Sequence, residues 1–242
     1  MASLLALDTS TRACSVAVMR DGEALSHCFE AMDRGQAERL LPMVDEVMGA
    51  ASMDFPALDA VLVTRGPGAF TGLRIGLAAA RGLALAADIP CFGLTTLEVL
   101  ARQTGPGGEP LLVAIDSKRG DLFVQAFDPD GTALMKPEGL APDRLSPELT
   151  KLGLAGPLRL AGDAAEKAAL NLAGFNCTMT GISHPDALAL GELACSLYPL
   201  SAEEHPPSPL YLRPPDAKVP KDGGRLRPRA LVPASSRPDR TG

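Results

Sequence analysis

The chain has 242 residues, 46% of them hydrophobic, so it is long and apolar enough to form one large globular domain or two smaller lobes. Aromatic residues make up only 4% and tryptophan is absent, which argues against a stacking platform for single-stranded nucleic acid. The net charge of −6 argues against a body that wraps a nucleic-acid backbone unaided.

The first hundred residues alternate between strand-like and helix-like patterns. Apolar runs and period-two alternation predict strands at 4–7, 14–19, 24–29, around Val61 and at 89–94. Apolar residues at helical spacing predict helices at 36–48, 71–87 and 96–103. The sequence therefore predicts an α/β fold in this half of the chain.

A glycine-rich turn joins the strand near Val61 to the next helix. Helix N-termini after such turns often bind anions, but no Gly-Lys-Ser/Thr follows, so this is not a P-loop. The spacing Gly66-x-Gly68-x-x-x-Gly72 is one residue too long for a dinucleotide fingerprint. The helix then carries a stripe of small residues that continues through Gly76. Its flanks are apolar, so we expect it to lie in the core or to dock against a partner.

The second half repeats the opening of the chain after a Gly/Pro-rich break at 104–110. Ala6-Leu7-Asp8-Thr9-Ser10 is echoed by Ala114-Ile115-Asp116-Ser117-Lys118, which favours an internal duplication. Later segments predict a loop-rich region, a short strand and two helices, at 137–157, 158–161, 164–173 and 185–197. We expect an N-terminal lobe, a smaller C-terminal lobe and a tail, at 1–103, 111–212 and 213–242.

The tail from Arg213 carries eight basic and three acidic residues, a net of +5, and is rich in proline and glycine. This composition predicts that 213–242 is mostly disordered. A solvated tail is the simpler interpretation, and an electrostatic contact with nucleic acid or an acidic partner is the alternative.

The polar turn after the first strand is a candidate phosphate or nucleotide contact. Backbone N–H groups and hydroxyls in such a hairpin can bind phosphate, and a carboxylate can hold a metal-bound water. The candidate residues are Asp8, Thr9, Ser10 and Thr11. The alternative is that Asp8 and Asp116 only cap turns.

Hydrolytic and metal chemistry finds little support. The three histidines, His27, His184 and His205, lack metal-binding spacing, and no G-x-S-x-G elbow occurs. Five cysteines without C-x-x-C spacing favour a reduced chain, and the sequence shows no basic signal region or long apolar run. We therefore expect a cytoplasmic protein without a catalytic triad, a metal site or a membrane contact.

Four motifs in order resemble the bacterial TsaB (YeaZ) family. They are the opening strands at 5–18, the helix segment 37–44, the glycine segment Gly66 to Gly76 and the closing Pro209-Leu210-Tyr211-Leu212-Arg213. The glycine segment is usually GPGSFTGLRIG, and Ala69 replaces its serine. Family members often have histidine where this chain has Gln36, a change that weakens any metal interpretation.

The resemblance implies an actin-like (ASKHA, ribonuclease H-like) α/β fold with two duplicated lobes of mixed sheets flanked by helices. It also implies a non-catalytic subunit for N6-threonylcarbamoyladenosine formation at position 37 of tRNAs that read ANN codons. The expected partners are TsaD, which is the catalytic paralogue, TsaE, and tRNA through the complex, with a homodimer when the chain is alone. No cofactor of its own is expected, and ATP or ADP is expected at the complex interface.

The resemblance further implies a partner interface on the helices near 36–50 and 71–87. Its expected residues are Arg39, Leu40, Met43, Val47, Gly72, Leu73, Ile75, Gly76, Ala79 and Ala80. Two rival functions remain open: an actin-like ATPase or kinase that uses Asp8 and Asp116, and an M22-type metallopeptidase.

Overall fold

The computed structural model describes residues 2–213, and these contain two five-stranded mixed sheets. The strands of the first sheet are β1 (Ser3–Asp8), β2 (Ala13–Arg20), β3 (Glu23–Ala31), β4 (Ala60–Thr64) and β5 (Cys91–Leu94). They are arranged in the order β3-β2-β1-β4-β5. Strands β1, β2 and β3 form an antiparallel meander, whereas β4 and β5 run parallel to β1. The parallel pairing places the carboxyl ends of β1, β4 and β5 at one edge of the sheet.

The second sheet repeats this topology. Its strands are β6 (Leu111–Asp116), β7 (Leu122–Phe127), β8 (Glu138–Leu140), β9 (Gly156–Ala161) and β10 (Phe175–Met179). Their order is β10-β9-β6-β7-β8. Written from the other edge, the first sheet has the order β5-β4-β1-β2-β3, so each strand of one sheet has a counterpart at the same place in the other. The counterparts also form the same parallel and antiparallel pairs. The predicted internal duplication is thereby confirmed.

Within the described part of the chain, six α-helices flank the sheets. They are α1 (Gln36–Ala50), α2 (Phe70–Ala87), α3 (Thr96–Thr104), α4 (Leu145–Lys151), α5 (Ala165–Ala169) and α6 (Ala187–Leu197). Helices α1 and α2 cover one face of the first sheet, because their apolar stripes pack against the side chains of β1, β2 and β4. Helix α2 has the length and apolar composition of a membrane span, but core helices of soluble proteins also meet that test.

Helices α3 and α6 cross between the two halves. Leu97 and Leu100 of α3 pack against the second sheet, although α3 follows the first sheet in the chain. Leu190 and Ala194 of α6 pack against the first sheet, although α6 lies within the predicted second lobe, 111–212. Each lobe therefore completes its core with a helix from the other half of the chain.

The predicted loop-rich region 137–157 contains two elements, β8 and α4. Sequence patterns miss such short elements because tertiary contacts stabilise them: α4 has only seven residues, yet it buries Leu145 and Leu149 in the second core. Strand β10 was missed for the same reason, and the helix expected at 164–173 is limited to α5. The predicted disordered tail lies outside the described residues, apart from Arg213.

Candidate functional site

Asp8 ends β1 and is completely buried at the carboxyl edge of the first sheet. Its Oδ1 accepts hydrogen bonds from the Thr64 hydroxyl, from the Ser10 hydroxyl at 2.7 Å and from the Ser10 backbone N–H at 3.2 Å. Its Oδ2 has no hydrogen-bond partner among the described residues. Burial raises the pKa of Asp8 to about 6, and the hydrogen bonds from Thr64 and Ser10 offset part of that rise.

Asp116 occupies the equivalent place at the end of β6, but its environment is different. Its carboxylate accepts the Lys118 backbone N–H at 2.8 Å and lies 3.4 Å from the Lys118 ammonium. Partial burial would raise the pKa of Asp116, yet the Lys118 N–H and the charges of Lys118 and Lys167 outweigh it and lower the pKa. The two duplicated carboxyl groups have thus diverged into a fully buried one whose pKa is raised and a more accessible one whose pKa is lowered.

The turn after β1 also holds α2 in place. The Thr9 hydroxyl donates to the Gly72 carbonyl at 2.8 Å. A Cβ on Gly72 would collide with the Thr9 carbonyl oxygen, and one on Gly76 would lie 2.6 Å from the Thr9 hydroxyl. The small residues of α2 therefore allow this helix to approach the chain's own β1–β2 turn. Of the two expected roles of this helix, a place in the core or a docking surface, the Gly72–Gly76 side serves the first.

The residues predicted for the partner interface differ in their exposure. Seven of the ten are buried within the chain: Leu40, Met43, Val47, Gly72, Leu73, Gly76 and Ala80. Arg39, Ile75 and Ala79 are half-buried, and Arg39 binds Glu30 and Glu46. The predicted set does not include the exposed large apolar residues of the same two helices, which are Leu41, Phe70 and Leu85. Periodicity alone does not tell which side of an almost wholly apolar helix other elements cover.

A cavity of about 760 Å³ lies between the two lobes, and we call it the interlobe cleft. Its walls include Ser10, Thr11, Arg12, Gly68, Phe70 and Arg74 from the first lobe, and Ile115, Asp116, Ser117, Lys118, Arg119, Phe123 and Asp163 from the second. Of the four predicted phosphate contacts, Ser10 and Thr11 line the cleft, whereas Asp8 and Thr9 do not. Asp8 and Thr9 instead contact other parts of the first lobe, Asp8 through Thr64 and Thr9 through Gly72.

The two sides of the cleft are bridged by direct contacts. His184 Nδ1 lies 3.1 Å from the Thr11 hydroxyl, and burial lowers the pKa of that imidazole. Residues 198–213, which we call the strap, return along the first lobe after α6. The Leu210 N–H donates to the Arg65 carbonyl at 2.8 Å, and Arg213 forms an ion pair with Asp121 of the second lobe. The strap thereby brings the closing Pro-x-Tyr-Leu-Arg motif to the mouth of the cleft.

The site has several polar side chains. Within residues 2–213 no group of three or more His, Cys, Asp or Glu residues is placed to hold a metal ion. The features of the site are the buried Asp8, the cleft with its basic and aromatic mouth, and the strap that spans both lobes.

Comparison with known proteins places this architecture in a family. The family model described as "TsaD: tRNA N6-adenosine threonylcarbamoyltransferase" matches residues 30–197. The tRNA threonylcarbamoyladenosine biosynthesis protein TsaB of Escherichia coli K12 is 37% identical over 146 residues, which are 56% of this chain and 63% of that protein. TsaB of Haemophilus influenzae is 39% identical over 50% of this chain and 52% of its own length. The match thus spans about half to two thirds of these relatives.

Other relatives match over nearly their whole length. An uncharacterized protein of Mycobacterium tuberculosis H37Rv is 32% identical over 90% of this chain and 95% of its own. The crystal structure of YeaZ from Pseudomonas aeruginosa is 30% identical with a TM-score of 0.71, covering 88% of this chain and all of YeaZ. A second Pseudomonas aeruginosa structure, described as similar to peptidase YEAZ, is 31% identical with a TM-score of 0.74 over the same shares. The chain belongs to the TsaB (YeaZ) family and shares the fold of YeaZ, and in this chain one mixed sheet with flanking helices occurs twice.

Proposed function

We propose that this chain is a non-catalytic subunit for threonylcarbamoyl transfer to adenosine 37 of ANN-decoding tRNAs, and that it acts by binding and activating TsaD. The relatives named TsaB support the pathway. The observation that carries the accessory role is the exposed apolar face of α1 and α2. Leu85 is 84% exposed and Leu41 is 50% exposed, although both lie on helices whose other faces form the core.

Large aliphatic side chains in water mark docking surfaces when several lie together. Leu41 and Leu85 lie on the solvent-facing sides of α1 and α2. Each leucine that becomes buried against a partner contributes about 1.5–3 kcal/mol from its apolar area. We call the solvent-facing sides of α1 and α2 that carry Leu41 and Leu85 the apolar helix face, and we assign TsaD to it in the complex and a second copy when the chain is alone.

TsaE and tRNA complete the proposed assembly, and ATP or ADP would bind at the complex interface rather than in this chain alone. Ser10 and Thr11 remain the candidate phosphate contacts of the cleft, since they line it. A cytoplasmic location follows from the same proposal, because the modification takes place on tRNA.

The rival ATPase function would need a carboxylate in reach of a bound nucleotide and its water. Asp8 is sealed inside the first lobe and its pKa is raised, while Asp116 is neutralised by Lys118. Nothing in the described residues favours a metallopeptidase over the accessory role. ATP turnover by the isolated chain, lost in Asp8→Ala, would favour the ATPase instead.

The decisive experiment is reconstituted threonylcarbamoylation with TsaD, TsaE, tRNA and the threonylcarbamoyl donor held fixed, with and without this chain. The proposal expects modified tRNA to accumulate only when the chain is added, and expects the chain to co-elute with TsaD. Equal rates with and without the chain would refute the proposal.

A further inference from the structure

We propose that the mouth of the interlobe cleft binds RNA directly, by stacking an unpaired base on Phe70 and Tyr211 and by placing Arg74 and Arg12 against the adjoining phosphates. This inference rests on the proposed function, which makes tRNA the substrate of the complex. It gives this chain its own contact with that tRNA, at a site separate from the apolar helix face.

The aromatic residues provide the first argument. The chain has seven phenylalanines and two tyrosines, and three of these nine, Phe70, Phe123 and Tyr211, line the cleft. Phe70 is 56% exposed and Tyr211 is 55% exposed, and their ring centroids lie 6.3 Å apart. The low aromatic content argued against a stacking platform, but folding concentrates the few rings at one opening. Exposed rings at the mouth of a groove stack on bases of any sequence.

The charges provide the second argument. Five basic residues line the cleft against two acidic ones, in a chain whose net charge is −6. Lys118 is bound by Asp116 and Asp163, and Arg213 by Asp121, so these two charges are largely neutralised. Of the other three cations of the cleft, Arg12 and Arg74 lie in the first lobe and Arg119 in the second.

Arg74 and Arg12 are the cations best placed for phosphate. The Arg74 guanidinium lies 3.8 Å from the Phe70 ring centroid, and within residues 2–213 no carboxylate is at ion-pair distance from it. Arg12 has an exposed pair with Asp33 at 3.5 Å, a contact that water and salt weaken. A ring with a guanidinium on its face is a combination that single-stranded nucleic-acid sites use, because the base stacks while the cation meets the backbone.

One other occupant fits these observations less well. An acidic peptide would form ion pairs with the arginines, but it would supply no planar group to stack on the two exposed rings. An unpaired nucleotide of RNA matches both features. The size of the cleft, about 760 Å³, lies within the range of sites that hold one such unit.

The test measures binding of the full-length chain to a fluorescein-labelled anticodon stem-loop by anisotropy. Tyr211→Ala and Arg74→Ala should each raise Kd by about 5- to 100-fold, and Tyr211→Phe should preserve binding. Arg81→Ala, two turns further along α2, and Phe29→Ala on β3 are the matched controls and should leave Kd within about twofold. Arg74→Ala should also reduce the slope of log Kd against log salt by about 0.7–0.9.

Three outcomes would overturn the inference. The first is an unchanged Kd in both Tyr211→Ala and Arg74→Ala, and the second is equal affinity for a blunt duplex without a loop. The third is complete displacement of the RNA by free ADP at a concentration close to the Kd of ADP for this chain. Circular dichroism melts of each variant separate lost binding from lost folding. The assay does not depend on threonylcarbamoylation. A chain that stimulates TsaD without binding RNA would refute this inference alone, whereas one that binds RNA without stimulating TsaD would refute the proposed function alone.

Discussion

Thr9 and Gly72 form a reciprocal contact between the β1–β2 turn and helix α2. The Thr9 hydroxyl donates to the Gly72 carbonyl, while the Thr9 carbonyl oxygen occupies the space that a Cβ at position 72 would need. One turn later, Gly76 passes the same threonine side chain. This contact fixes the angle at which α2 leaves the glycine-rich turn, and it makes the glycine segment a packing device within the first lobe.

The three glycines of α2 therefore provide an internally controlled test. We expect Gly72→Ala to lower the free energy of unfolding by roughly 1–3 kcal/mol or more, because backbone atoms must move. Gly76→Ala should cost less, since its Cβ meets a side chain. Gly82 is exposed with nothing within 4 Å of its Cβ position, so Gly82→Ala should stabilise by about 0.5–1 kcal/mol through helix propensity. Urea denaturation measures all three, and equal effects at 72 and 82 would contradict the packing argument.

The buried Asp8 predicts an unusual pH dependence. Its pKa is about 6 in the folded protein against 3.8 in the unfolded chain, so the folded state retains the proton more tightly. The stabilisation is complete below about pH 4 and is lost as the pH rises through 6, by an amount on the order of 3 kcal/mol. Asp8→Asn cannot ionise and should remove this fall.

The measurement for Asp8 is the free energy of unfolding from pH 4 to pH 7, taken as the difference between variant and parent so that other carboxyl groups cancel. Asp116→Asn is the matched control from the duplicated strand. The pKa of Asp116 is lowered, so its contribution is present at neutral pH and is lost as the pH falls. The two variants should therefore change the pH profile in opposite directions, and parallel profiles would show that Asp8 is not the buried acid described here.

The apolar helix face can be tested with one substitution on the face and one control substitution outside it. Leu85→Glu, alone or with Leu41→Glu, should reduce co-elution with TsaD and the stimulated rate by tenfold or more, because a buried carboxylate costs several kcal/mol. Leu170, in the second lobe, is 87% exposed and provides a control of equal exposure. Leu170→Glu should leave both measurements unchanged. Thermal melts should be similar for all three variants, and a loss of binding in Leu170→Glu would point to a different interface.

The strap predicts a local rather than a global effect. Arg213 and Asp121 are about one third exposed, so Asp121→Ala should change stability by no more than about 1 kcal/mol. Amide exchange at Tyr211 and Leu212 should nevertheless become faster, because the strap loses its link to the second lobe. The Leu210 amide, bonded to the Arg65 carbonyl in the first lobe, should keep its protection. Faster exchange at Leu210 as well would mean that the strap detaches as one unit.

The order of strands and helices in the first half was predictable because hydrophobic periodicity is a local signal. Strands β1 to β5 and helices α1 to α3 all lie within a few residues of their predicted positions. The echo of Asp8 in Asp116 indicated the duplication, which the identical strand orders confirm. Short elements such as β8 and α4 escaped prediction, since their stability comes from contacts with residues distant in the chain.

The sequence by itself determined the family, the α/β class and the duplication, because motifs and periodicity depend only on residues that are close together in the chain. Only the tertiary structure decided which side chains face water. It buried Asp8 and Thr9 away from the cleft, turned Gly72 and Gly76 toward Thr9, and left Leu85 exposed. It also brought Phe70 beside Tyr211 and Arg213 beside Asp121 across large separations in the chain. The physical reason is that burial depends on which elements pack together, and that packing is a property of the whole fold.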